Sequence, residues 1–353
     1  MRLGIFARAD HTGLSVETQE YVRHLKPDKV LCIDIDELNA SYGKITVTDR
    51  HMYDDYNVRY TNGVPTEEDY AWLTDDIDII FVKETPINHD IYPIAKSKGV
   101  YTVLACNAEF LDKISPKFSH FPMADEIWVP STWHSLLIME KAEEWGCAYR
   151  YVPVPINREL FPFRPRNRAT QFLHIAGHPA HEDRNGTKLV FEAIPLVKSD
   201  VQFVIRSQEP IDPGYKDPRL KLAVVDIEDN RNLYHDESVL LLPRRYGGLS
   251  LQLHEALSLG MIPVMLDIPP QKSFLNENWL VEARFQKKIT TRFEFDIYDC
   301  SPQDLADKID EIATATPELM SIWSHDADRI AEELNWEKLA PLYIEALSQC
   351  LEK

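Results

Sequence analysis

Apolar and polar positions along this chain fall into a repeating order: a short aliphatic run, a polar or glycine-containing loop, apolar residues at helical spacing, then another short run. Residues 2–7 open it as a buried strand, 8–13 (RADHTG) follow as a polar loop, 14–25 as a helix ending before Pro27, and 29–35 as a second strand. Strand, loop, helix, strand is the opening of a Rossmann-like half, whose loops at the carboxyl edge of the sheet meet ligands. Residues 39–68 lose periodicity and read as an irregular excursion. Residues 76–82 (DIDIIFV) and 101–104 are further strands, and the loops behind them bring Thr85 and Asn107 toward the same cleft. Residues 126–130 read as the last strand of this half, and 131–144 as a helix with Ser131 as its cap.

Prolines at 153, 155, 162 and 165 then make a stiff, extended crossing, and the domain boundary belongs there. Arg158, Arg164, Arg166 and Arg168 are a basic concentration within it, read as a solvated linker. The second half restarts the alternation: strand 171–176, loop 177–183, a helix opened by Arg184-Asn185-Gly186-Thr187-Lys188 and running to about Leu196, and strands at 201–206 and 222–225. Residues 301–315 and 317–333 read as helices, and Trp336, Leu339, Tyr343 and Leu347 fall on one face of a last helix.

The chain is organised around 239–270, VLLLPRRYGGLSLQLHEALSLGMIPVMLDIPP. A buried strand, 239–242, is interrupted by Arg244-Arg245-Tyr246-Gly247-Gly248, a turn that glycine makes without strain. Leu249, Leu253, Ala256 and Leu257 recur at helical spacing, Gly260 stops the helix, and 262–266 is the next strand. Glycines at the carboxyl end of a parallel strand let backbone N–H groups approach an anion, and the helix start favours negative charge. Glu255, read as almost two turns into that helix, is an acceptor-only group suited to a pair of sugar hydroxyls.

Length and charge narrow the picture further. The 353 residues are enough for two domains, and 44% hydrophobic content fills their cores. A formal net charge of −19 argues against a surface that grips nucleic acid by neutralising phosphates. Five scattered cysteines without a CxxC suggest reduced thiols and a cytoplasmic protein, and the absence of a signal peptide or an apolar run near membrane-spanning length agrees. Asp-x-Asp occurs at Asp34/Asp36 and Asp76/Asp78, a pattern used for metals, but Asp76 and Asp78 frame the start of a strand, away from the ligand edge, so no metal site is expected.

GGLSLQLHEALSLGMIPVMLDIPP resembles the donor-site segment of retaining, family-4-type glycosyltransferases, and IWVPSTWHSLLI followed by YRYVPVPINRELFPFRP resembles that family's stretch at the end of its first domain. The Trp-x-x-x-Ala-x-x-Tyr pattern of the last helix is similar too. The resemblance implies an α/β GT-B fold: two Rossmann-like domains facing across a cleft, 1–160 joined by a returning helix 334–353, and 168–333. It implies a hexosyl- or glycosyltransferase moving a sugar from a nucleoside-diphosphate-sugar, such as a UDP-sugar, to a hydroxyl acceptor, with no cofactor beyond that co-substrate. Glu255 would hold the ribose; Arg184 and Lys188 the diphosphate; Gly247, Gly248 and Leu249 the phosphate and sugar through their N–H groups; and Ile227 the nucleobase. His178 stands where the family has an arginine, and Gly247 where it has a first glutamate, Arg245 taking that place if two residues are inserted, with Tyr246 beside it. By position in the first loop, Asp10, His11, Thr12 and Gly13 are candidates for the acceptor side, His11 for catalysis, although Asp10 and Thr12 equally suit helix capping.

Three rivals share these motifs: a transferase glycosylating a modified base in DNA, a sugar-nucleotide epimerase, and a nucleotide-sugar-binding protein without turnover. Donor sugar, acceptor (glycan, small molecule or modified DNA base) and oligomeric state are left open at this level.

Overall fold

The computed structural model describes residues 1–10, 13–34, 36, 48–83, 90–106, 123–177, 180–224, 229–290 and 294–352. His11, Thr12, Thr85, Asn107, His178 and Ile227 lie outside them. The chain divides into two compact units, Met1–Val154 with Trp336–Lys353, and Pro155–Asn335.

In the first unit, β1 (Leu3–Arg8), β2 (Lys29–Ile33), β3 (Val58–Tyr60), β4 (Ile79–Lys83), β5 (Tyr101–Ala105), β6 (Glu126–Val129) and β7 (Ala148–Tyr151) form one parallel sheet in the order β3-β2-β1-β4-β5-β6-β7. Helices α1 (Gly13–Leu25), α2 (Glu67–Thr74), α3 (Ile91–Ser97) and α4 (Thr132–Trp145) connect them. The inner strands are nearly all apolar because both faces of a parallel sheet are covered. Ser131 caps α4 as expected, its hydroxyl accepting from the His134 N–H at 3.3 Å, and Gly146 ends the helix at φ 66°.

Two strands of this sheet escape the sequence reading. β3 lies inside the stretch read as irregular, and β7 follows the strand read as last. Both are edge strands: β3 is three partly buried residues, and β7 exposes Tyr149 and Tyr151. A strand with little to bury carries little apolar signal.

The helix Trp336–Cys350 belongs to this first unit. Trp336, Leu339, Tyr343 and Leu347 are all buried. Tyr343 donates to the Pro153 carbonyl at 2.9 Å and so accepts from Tyr21, whose hydroxyl lies 3.0 Å away. Trp336 meets the Tyr21 ring edge-on at 5.0 Å.

The second unit repeats the plan: β8 (Gln171–Gly177), β9 (Gln202–Ser207), β10 (Leu220–Val224), β11 (Val239–Leu241), β12 (Ile262–Leu266) and β13 (Leu280–Val281) form a parallel sheet in the order β10-β9-β8-β11-β12-β13. α5 (Ala180–Asp183) is a single turn, α6 spans Thr187–Ala193, α7 Leu251–Ser258, α8 Pro302–Ala313 and α9 Pro317–Glu333. A hairpin the sequence reading passed over, β14 (Arg284–Thr290) with β15 (Glu294–Asp299), follows the sheet. Among the described residues no helix is long and apolar enough to cross a membrane.

Two helix starts move relative to expectation. α6 begins at Thr187 rather than Arg184, because Gly186 takes a left-handed φ of 73° as its cap and breaks the helical run. α7 begins at Leu251, so Glu255 lies one turn in rather than almost two.

Candidate functional site

The strand order of the second sheet changes direction between β8 and β11, the topological switch point where open α/β sheets leave a crevice at their carboxyl edge. His174 on β8 ties this point together. Its Nδ1 lies 2.8 Å from the Leu241 carbonyl and so carries the proton, which leaves Nε2 to accept from the Thr187 hydroxyl at 2.8 Å. Complete burial holds its pKa below the ordinary histidine value, in keeping with a neutral ring.

The loops after β8 and β11 press on each other through two glycines. A Cβ on Gly186 would fall 2.5 Å from the Pro243 carbonyl oxygen, and a Cβ on Gly247, whose φ is 95°, would collide with the guanidinium of Arg184. The Arg245 N–H donates to the Arg184 carbonyl at 2.9 Å. Arg184 Nε approaches the Tyr246 carbonyl at 3.4 Å, Arg244 Nε donates to the same oxygen at 3.2 Å, and the Arg184 guanidinium stands over the Tyr246 ring at 5.5 Å. Gly248 and Leu249 lead into α7, whose Ser250 makes no side-chain cap.

Arg245 and Lys188 point elsewhere. Arg245 pairs with Asp299 at 3.0 Å and donates to the Glu182 carbonyl at 2.7 Å, while its own carbonyl accepts from the Tyr298 N–H of the hairpin at 3.0 Å. Burial holds the Asp299 carboxyl above its ordinary range, with Arg245 working against it. The Lys188 side chain is 81% exposed, with Glu192 at 3.7 Å. The start of α6 already holds an acid, since Asp183 accepts from the N–H groups of Thr187 at 2.8 Å and Lys188 at 2.9 Å. Lys188 and Arg245 instead line a cavity of about 410 Å³ with Glu182, Asp183, Glu192 and Asp299. The pair Arg184 and Lys188, expected to act together, is thus divided: Arg184 stands on the glycine turn and Lys188 does not.

Glu255 is buried under the same edge. It accepts from the Tyr234 hydroxyl at 2.5 Å, with Asn230 Nδ2 at 3.4 Å from its other oxygen. Desolvation pushes its pKa up to about 7, against the pull of the two hydrogen bonds. A carboxylate offers about four lone-pair sites, so these bonds leave room for a pair of hydroxyls. Tyr234, Asn230 and His174 are contributors the sequence reading missed. They sit in segments without a motif, whereas Arg244 stands on the glycine turn that the sequence already marks.

At the carboxyl edge of the first sheet, Asp10 is buried, accepts from Arg8 at 2.8 Å, and donates its N–H to the Ser15 hydroxyl at 2.7 Å. Gly13 is the exposed first residue of α1. Asp34 accepts from Thr48 at 3.2 Å and pairs with Arg50. Lys83, at the end of β4, is buried 3.0 Å from Glu17. Asp76 and Asp78 sit at the opposite, amino edge, where Asp78 accepts the Arg2 N–H at 2.6 Å and Asp76 pairs with the Arg2 side chain. Among the described residues no three His, Cys, Asp or Glu groups gather as metal ligands.

No protein-family model matches the chain, and no curated protein matches its sequence. Solved structures do. The chain is similar to Anabaena Alr3699/HepE in complex with UDP and glucose (TM-score 0.68, 11% identity, 99% of this chain and 100% of that one). It is similar to sucrose-phosphate synthase from Thermosynechococcus elongatus (0.66, 12%, 99% of both) and to a glycosyltransferase from Rickettsia africae (0.68, 11%, 100% of this chain and 99% of that one). Likeness over entire chains, together with two parallel Rossmann-like sheets, identifies the architecture as the GT-B fold.

Proposed function

We propose that the chain is a glycosyltransferase that moves a sugar from a nucleoside-diphosphate-sugar to a hydroxyl acceptor, retaining configuration and needing no metal. The observation that carries this reading is Glu255, a buried carboxylate one turn into the helix behind the glycine turn at the switch point of the second sheet. Its remaining lone pairs suit the two ribose hydroxyls, and Arg184 on the turn supplies positive charge where a diphosphate would lie. The likeness to a structure in complex with UDP and glucose favours a UDP-sugar as donor.

Transfer separates a nucleoside diphosphate from the sugar, and negative charge grows on the departing phosphate as the bond lengthens. A fixed guanidinium beside it stabilises that charge without reorganising. In a retaining transfer the leaving phosphate itself can take the acceptor's proton, so no protein base is required on that face. The five free thiols suit the reducing interior of a cell.

The test is mass spectrometry of products from UDP-, GDP- and ADP-sugars, with and without a panel of glycan, small-molecule and modified-DNA acceptors. Release of nucleoside diphosphate together with a glycosylated product, in excess chelator, is the expected result. A changed sugar without an acceptor would make the chain an epimerase, and binding with no turnover at all would remove the transferase reading.

A further inference from the structure

Glu255 is a carboxylate buried beside neutral groups: among the described residues those bearing on its charge are Tyr234 and Asn230. Both come from one short stretch. The 3-10 turn Asn230–Leu233 opens with the Asp229 carboxylate accepting from the Arg231 N–H at 3.0 Å and closes at Tyr234. From its two ends the side chains reach different oxygens of Glu255, Tyr234 at 2.5 Å and Asn230 at 3.4 Å.

The turn is held in its own right. Arg206, on β9, donates to the Asn232 carbonyl at 3.2 Å and to Glu237 at 3.1 Å, and the Tyr234 ring meets Phe161 of the proline-rich crossing edge-on at 5.9 Å. Tyr234 is 4% exposed, and beyond Glu255 its hydroxyl has the Gln252 carbonyl at 3.5 Å, a long contact against a short one. Burial and the adjacent carboxylate push the Tyr234 hydroxyl well above its ordinary pKa, so it keeps its proton and donates to Glu255. Arg206 bears on Tyr234 rather than on the carboxylate. A hydrogen bond donated to a carboxylate favours the ionised form, against the desolvation that raises Glu255. Once protonated, a carboxyl gives up acceptor capacity, so a pair of ribose hydroxyls meets a full set of acceptors only while Glu255 is ionised.

We propose that Tyr234 is a positioning residue for the donor site: it fixes one oxygen of Glu255 and extends the carboxylate's ionised range to neutral pH, where the ribose hydroxyls are recognised. This rests on the donor-site reading above and adds to it a residue that acts through Glu255 and a pH range for recognition.

The experiment is calorimetry on the full chain with UDP and with 2′,3′-dideoxy-UDP from pH 6 to 9, taking the ratio of the two affinities as the worth of the ribose hydroxyls. In the wild type the ratio should rise with pH around 7 and level off by pH 9. Losing a hydrogen bond to a charged group moves a carboxyl by about one pH unit or more, so in Tyr234→Phe the rise should shift to about pH 8. The variant's ratio should then be about fivefold below wild type at pH 7 and about equal to it at pH 9. Thermal unfolding of the unliganded chain gives a second reading: the wild type loses the stability linked to Glu255 as pH rises through 7, and Tyr234→Phe should go on losing it to about pH 8. Tyr215→Phe, which removes a hydroxyl bonded to the Phe191 carbonyl at 2.7 Å, should leave the rise where it is. A Tyr234→Phe ratio lowered by one factor at every pH, or a rise that stays near pH 7, overturns the proposal, because a merely structural tyrosine lowers affinity without moving the titration. Should Tyr234→Phe not fold, 3-fluorotyrosine placed at 234 tests the bond in the opposite sense: its more acidic hydroxyl donates more strongly, the rise should move below that of the wild type, and an unmoved rise overturns the proposal equally. If the wild type binds ADP or GDP rather than UDP, the matching dideoxy pair is used. A wild type that binds no nucleoside diphosphate removes the donor reading and the proposal with it, whereas UDP binding with an unmoved rise removes only the role of Tyr234.

Discussion

The carboxyl edges of the two sheets are built alike and charged differently. In each unit the chain lays two strands to one side of its first, then switches to the other side, leaving a crevice between β1 and β4 in one and between β8 and β11 in the other. At the first crevice the buried carboxylates Asp10 and Asp34 are bound to Arg8 and Arg50, and the buried Lys83 lies 3.0 Å from Glu17. At the second, Arg184 and Arg244 meet on a backbone carbonyl over a glycine turn. Topology places a crevice, and side chains decide its charge. Arg8 and Arg50 serve carboxylates at the first edge, whereas the second gathers two arginines around a glycine turn.

The largest expected effect comes from breaking the second edge. If Arg184 stabilises charge that grows on the leaving diphosphate, Arg184→Ala should lower kcat about 10²–10³-fold and raise the donor KM much less. Steady-state kinetics with the donor that turns over would check it. A variant whose KM rises with kcat intact would mean that Arg184 binds the ground state only, and the contrast between the edges would then concern affinity rather than catalysis.

Glu255 sharpens the comparison, because it is a carboxylate on the cationic edge. Its folded pKa of about 7 is raised from the ordinary 4.5 by burial, so folding takes up a proton between those values. The associated stability is present in full below about pH 4.5 and lost as pH rises through 7, on the order of 3 kcal/mol in all. Glu255→Gln should remove this dependence, unfolding at higher temperature than wild type at pH 8 and with no such advantage at pH 5. The same substitution should weaken UDP at least about tenfold at pH 8, since a carboxylate hydrogen-bonded to hydroxyls is worth about 1.5–3 kcal/mol, and the deficit should narrow at pH 6 as wild-type Glu255 protonates. A group that costs stability in order to bind is expected of a functional site. Equal UDP affinity in the variant would take Glu255 out of the site.

Much of this edge could be read from the chain, and the reason is local. The glycine turn, the helix behind it and Glu255 lie within one unbroken stretch, where strand, turn and helix signals agree. The strands Ile262–Leu266 and the helix Pro317–Glu333 were read to the residue, because buried parallel strands and capped amphipathic helices carry strong patterns. What was not legible depends on distance along the chain. Tyr234 reaches Glu255 from 21 residues away, and Arg184 reaches the Tyr246 carbonyl from 62. The division between Arg184 and Lys188 turns on Gly186, whose left-handed conformation starts the helix three residues late and sends the two side chains different ways. The hairpin Arg284–Thr290 with Glu294–Asp299 buries only Ile297 among its described side chains, and so left little apolar signal.

The smallest expected effect tests the first edge. Arg50 is a cation at the carboxyl end of a Rossmann-like sheet, the same kind of place as Arg184, and by position alone either could serve a phosphate. It is paired with Asp34 and lies 3.7 Å from Asp36, and its side chain is 55% exposed. A half-exposed ion pair contributes about 0–1 kcal/mol, so Arg50→Ala should move the unfolding free energy by no more than that. It should leave UDP affinity and the donor KM within about twofold of wild type, a difference below about 0.4 kcal/mol. Equilibrium unfolding and the same calorimetry would show both. A fall in UDP affinity as large as that of Arg184→Ala would mean that Arg50 leaves Asp34 for the ligand. The contrast in charge between the edges would then describe the unliganded chain alone.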